Sequence, residues 1–324
     1  MRLLGAELRG LARPLTAWVA VALVVLACLA ASTGARAALG VAATGSVPAG
    51  RGDLEGMVQP PDECAEYGLP EGDACQRAIA AARAAMRDGR PEAEAARALA
   101  ARLHDPVAAG WLAAGQLGSL PGAAALLVLA ASSVGGELRR RTLGPLVARA
   151  GRRLPILAAK AVSLWLAGAG LLVASWAALA LLTVGLRLAA EGAPPPLPAG
   201  DALALAGGRV ARALLVMAGF AVVWVLAGVV ARSGPGTIAL GAAGLGAALL
   251  GLAAGPRFAG LNPAGWIAAA MGFGAPVTVI DHVWVAVPPG DRPGTVAGLV
   301  GLAGLGAAAW CLAAHRFRRA PIRA

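Results

Sequence analysis

Apolar residues along this chain gather into long runs with few polar positions, not into the period-two alternation of a half-buried strand. Six of the runs approach or exceed about 20 residues, the length a helix needs to cross ~30 Å of hydrocarbon. They fall at 15–32, 107–134, 154–186, 212–231, 236–254 and 294–314. The second and third are longer than a crossing requires and are expected to tilt or protrude. Pro121 removes a backbone donor inside the second and predicts a kink there. In the fifth and sixth, Ala242/Gly246, Ala247/Gly251 and Gly304/Ala308 form small-xxx-small pairs, which let helix backbones approach closely where lipid supplies no hydrophobic drive. Ahead of the first run, Leu3, Leu4, Leu8 and Leu11 recur at helical spacing around Glu7, predicting a helix that lies in the membrane interface.

The pattern thus predicts an all-α membrane protein of six transmembrane helices. Composition agrees, with 58% hydrophobic and 14% charged residues and a mean hydropathy of +0.71, where a soluble domain carries about 25% charge. A net charge of +11 would fit a nucleic-acid binder, but one Tyr and four Phe offer no stacking surface. The cations flank the apolar runs instead. They are 27 Arg and one Lys, a bias that with the Ala and Gly excess reflects a GC-rich genome.

Their distribution sets the orientation. With both termini in the cytoplasm, inner segments hold 15 basic residues and the short outer loops five, Arg187, Arg209, Arg212, Arg257 and Arg292. The eight Arg of the long loop after the first span count little, because long loops translocate regardless of charge. The expected location is the bacterial plasma membrane, with a multi-pass topology. Residues 1–34 hold the interfacial helix and first span. A second reading makes this region a secretory signal, with Ala35-Arg36-Ala37 as the cleavage pattern; the length of the apolar run and the presence of Glu7 favour a retained helix.

Residues 35–106 form an extracytoplasmic loop domain, with 11 acids against eight Arg. Its Cys64 and Cys75 lie in a Pro- and Gly-rich stretch and are expected to pair as a disulfide, stapling a loop with too little apolar surface for a core of its own. Cys28 and Cys311 fall inside predicted spans as small apolar residues. Residues 107–324 carry the remaining five spans. Within them Pro194-Pro195-Pro196 stiffens one outer loop. In 255–292, Pro263 and Pro276 bracket a run too short to span, so a re-entrant segment with Trp266 and Trp284 at the interface is expected.

Enzyme chemistry has little to stand on. No G-x-x-x-x-G-K-[ST] cradle is present, no G-x-S-x-G elbow, and His104, His282 and His315 have no metal-ligand spacing. Asp281-His282 reads as a solvated loop end before it reads as a proton relay. Gln116 and Thr183, polar at apolar depth, suit helix-to-helix hydrogen bonds.

What remains is a dense basic segment between the second and third spans. Gly136-Glu137, Arg139 to Arg141, Thr142-Leu143, Gly144-Pro145, Arg149, Arg152-Arg153 and Lys160 place seven of 28 Lys and Arg in 25 positions beside a single acid. Gly144-Pro145 opens a short helix near 142–153, Gly151 ends it and Pro155 starts the next span.

This segment resembles the loop between the second and third membrane helices of export-class (type 2) ABC transporter permeases, where a Gly-Glu pair, a Thr-Leu pair, an Arg and a Lys recur in this order. Glu137, Thr142, Leu143, Arg149, Arg153 and Lys160 match, while Arg141 stands where the family often has Gly. The resemblance implies a coupling helix seated in a groove of an ATPase subunit, with Leu146 adding apolar contact, and gives Glu7 the acidic position of the interfacial helix. It implies a permease subunit that moves a substrate outward by alternating access, with no ATPase site of its own and no cofactor in this chain, ATP being bound by the partner. Its partners would be an ABC ATPase subunit, a second permease chain in a homo- or heterodimer, and membrane lipid, with no nucleic acid. Two plainer alternatives stay open: an ordinary positive-inside loop, and a non-transporting assembly or signalling component that binds a partner through its outer loop.

Overall fold

A computed structural model of the chain describes residues 105–140, 153–189, 196–253, 261–272 and 294–319, with Trp18 and Ala22 besides. The interfacial helix with Glu7, nearly all of the first span, the loop domain as far as His104 with Cys64 and Cys75, the centre of the basic segment at 141–152 and the Asp281-His282 stretch lie outside them.

The described residues are 91% helical, with no strand among them. In chain order the helices are α1 (Ala109–Leu117), α2 (Leu120–Ala130), a π-helical turn (Ala131–Gly135), α3 (Gly136–Arg140), α4 (Leu154–Ala189), α5 (Ala199–Ala231), α6 (Gly234–Ala253), α7 (Pro263–Met271) and α8 (Thr295–Arg319). Four stretches are long and apolar enough to cross a membrane: Leu120–Arg139, Leu154–Gly185, Ala199–Ala231 and Thr295–Arg319. The protein is therefore a membrane-embedded helical bundle.

The expected second span is interrupted. Instead of kinking one helix, Pro121 occupies the first turn of a new one, behind the extended Ser119. In a continuous helix its ring would clash with the carbonyl of Leu117, and at a helix start its missing donor costs nothing. The expected fourth span also changes length, since α5 begins at Ala199 and takes Arg209 and Arg212 out of the loop into a helix.

Helix ends follow local chemistry. Arg232 adopts the left-handed conformation, φ 53°, to stop α5, and the Ser233 hydroxyl then accepts from the Gly236 amide to start α6. Asn262 caps α7 by accepting from the Ala264 amide at 2.9 Å, and its side-chain amide donates to the Ala248 carbonyl of α6 at 2.7 Å. One residue thus sets both the start and the docking of α7.

The central helix is α5, which packs against α1, α2, α4, α6, α7 and α8. Its buried side includes Ala213, Val216, Met217, Phe220, Trp224 and Val225. The Trp165 indole of α4 donates to the Leu214 carbonyl of α5 at 3.0 Å, fixing these two long helices against each other. Much of the core is Ala and Leu, so cohesion comes from close dispersion contact more than from expelled water, as expected where lipid surrounds the bundle.

Candidate functional site

The basic segment enters through α3 and leaves through the start of α4. The centre, with Thr142, Leu143, Leu146 and Arg149, lies outside the described residues. Its two flanks are described, and they hold Glu137, Arg153 and Lys160.

Glu137 stands in the first turn of α3 and Lys160 in the second turn of α4. Their side chains meet: Lys160 Nζ donates to Glu137 Oε2 at 2.8 Å and to the Ser133 carbonyl at 3.2 Å. Lys160 is 2% exposed and Glu137 22%. An ammonium so deeply buried needs both a counter-charge and further acceptors, since desolvation otherwise costs several kcal/mol. The carboxylate supplies the first and the π-helical turn the second.

That turn explains the access. Over Ala131–Gly135 the helix is wound with one residue more per hydrogen-bonded ring than an α-helix, which re-aims its carbonyls. The segment is held against the α5–α6 corner at Gly135, where a methyl group would lie 2.5 Å from Thr237 Oγ1 and 2.6 Å from the Ser233 carbonyl. A side chain there would force the corner away.

The identity of the cation also has a physical reason. This is the single Lys among 28 basic residues, and its side chain is buried against the π-helical turn and α3. A compact ammonium on a thin stem fits there, whereas a planar guanidinium has five donors to satisfy.

At the other flank, Arg153 points away from the pair. Its Nη1 donates to the Arg318 carbonyl at 2.8 Å and the Phe317 carbonyl at 3.2 Å, both in the last turn of α8. A cation at a helix C-terminus satisfies carbonyls that have no partner within the helix and complements the helix dipole. Arg153 therefore has an intramolecular role beside whatever it offers a partner.

A second polar cluster lies at the opposite end of the bundle. Asp105, 3% exposed, accepts from the Val107 and Ala108 amides at 2.8 and 2.9 Å through Oδ1, and from the Leu197 amide at 3.1 Å through Oδ2. The Trp176 indole of α4 donates to the Pro106 carbonyl at 3.3 Å. Nearby, the Arg209 guanidinium lies 4.2 Å from the centroid of the Trp111 ring and is buried. Thr183, expected to bond across helices, donates to the Ala180 carbonyl of its own helix at 2.7 Å. Gln116 is buried in α1, and its backbone carbonyl accepts from Ser119.

Sequence reasoning missed Ser133, Asp105 and the burial of Arg209. Ser133 contributes only a backbone carbonyl, for which no side-chain signal exists. Asp105-Pro106 is a helix-start signal that was available. Among the described residues no group of three or more His, Cys, Asp or Glu could hold a metal ion. No family model, curated protein or solved structure matches the chain.

Proposed function

We propose that the chain is the permease subunit of an export-class ABC transporter, embedded in a bacterial plasma membrane with both termini cytoplasmic. It binds no nucleotide itself. It pairs with a second permease chain, and ATPase subunits dock on the basic segment between the second and third spans and drive alternating access.

The observation that carries this reading is the meeting of Glu137 and Lys160. These are the first and last charged positions of the motif that resembles the coupling segment, 23 residues apart, and they form a partly buried ion pair. A loop with its base closed in this way transmits a push on its tip to both spans, where a loose positive-inside loop would absorb it. The apolar interior of the bundle suits a lipid-like, peptide or drug-like substrate.

Arg149 is the position at which to test it, because Arg153 has a second role within the chain. Arg149→Glu should abolish co-purification with the proposed ATPase partner and stop ATP-dependent export, while membrane insertion survives on the remaining cytoplasmic cations. If the reversed protein keeps its ATPase and exports at the normal rate, the coupling assignment fails. The assembly-component alternative then becomes the better account.

A further inference from the structure

We infer that Arg153 is a positioning residue that carries movement of the basic segment to the outer short helix α7, using α8 as a rigid rod. This deepens the permease reading by naming its transmission route, and depends on that reading for its purpose but not for its geometry.

The route begins at the Arg153 guanidinium, bonded to the carbonyls of Phe317 and Arg318. Arg153 directly precedes α4, so any displacement of Arg153 is passed to its anchor on the last turn of α8. Phe317 beside that anchor is 2% exposed, which keeps the last turn packed instead of frayed. From there α8 runs without a proline through its 25 residues, about 37 Å at the usual rise. A continuous helix of that length shifts as a unit, as packed helices do in shear motions.

The far end of α8 is engaged just as closely. At Gly298 a methyl group would lie 2.7 Å from the Trp266 carbonyl and 2.8 Å from Ala269 Cβ, and at Gly301 it would lie 2.6 Å from the Trp266 indole. Two glycines one turn apart therefore let the α7 backbone and the Trp266 ring sit directly on the α8 backbone. α7 in turn reaches the interruption of the second span, where the Met271 thioether occupies the space beside Gly118. The chain of contacts thus runs from the cytoplasmic segment along α8 to α7 and ends at the break between α1 and α2, the one place where the second span lacks helical continuity.

Hydrogen exchange read by mass spectrometry on the full-length chain in lipid nanodiscs tests this without ATPase or substrate. Arg153→Ala should speed exchange roughly ten-fold, the effect of losing charge-assisted hydrogen bonds, in peptides covering 313–319 and also in those covering 263–271. Peptides from 237–245 of α6 should stay unchanged. Arg153→Lys, which lacks the guanidinium fork, should give an intermediate effect at both places. Faster exchange confined to 313–319 would reduce Arg153 to a local cap and overturn the route, and so would no change at either place. Should Arg153→Ala fail to accumulate, Gly301→Ala probes the same rod from the other end, and unchanged exchange at 313–319 in that variant overturns the route equally. Neither readout involves the ATPase, so loss of the permease reading through Arg149→Glu and loss of this route are separate results.

Discussion

Lys160 Nζ and Glu137 Oε2 sit 2.8 Å apart although one is almost wholly buried and the other partly open to solvent. The asymmetry decides how the pair responds to substitution. Removing the carboxylate takes the counter-charge from a buried ammonium that the Ser133 carbonyl cannot neutralise, while removing the ammonium leaves a carboxylate that water can reach.

Glu137→Ala should therefore destabilise the folded protein by about 3 kcal/mol, the cost of breaking a buried pair from one side. Lys160→Met should cost less than half as much. The double variant should lie closer to wild type than Glu137→Ala does, because no uncompensated charge remains. Equilibrium unfolding in mixed micelles gives the three values, and simple additivity would show that the pair contributes no coupling.

Asp105 makes a similar argument at the other end of the bundle, where one carboxylate serves three backbone amides. Asp105→Ala should cost about 2 kcal/mol from the lost bonds to the turn before α1 and an unsatisfied buried donor. Asp105→Asn keeps an acceptor for Val107 and Ala108 but turns an amide group toward the Leu197 N–H, so its loss should be smaller. Thermal denaturation of the two variants checks the order, and an alanine variant as stable as wild type would remove Asp105 from the account of how the segment before α5 is held.

Cys64 and Cys75 should be recovered as a disulfide, closing a loop of about a dozen residues and stabilising it by about 3 kcal/mol in the chain-entropy view. Peptide mapping without reductant reads the result directly. Two free thiols in protein taken from intact cells would count against the bond and against placing residues 35–106 on the oxidising side.

The membrane class and the helical content were legible in the sequence because both rest on local quantities, apolar length and helix-breaking residues. The boundaries of α4 and the short α7 after Asn262-Pro263 were legible for the same reason. The basic segment stood out through charge density alone. Its ends did not show how they are fastened, since the partner of Lys160 depends on a π-helical turn and that of Arg153 on carbonyls 164 and 165 residues away.

Arg209 marks the limit most clearly. Read along the chain it is a cation before an apolar run, a position that predicts an outer loop. In the fold it lies within α5 against the Trp111 ring, because an aromatic face from α1 offers the guanidinium a favourable contact that linear sequence does not display. The sequence by itself determined that this chain enters a membrane as helices, through the cost of unsatisfied backbone groups in hydrocarbon. Which charges may be buried there, and which helix ends they tie together, was decided only when tertiary packing brought the counter-charge, the carbonyls and the aromatic ring within reach.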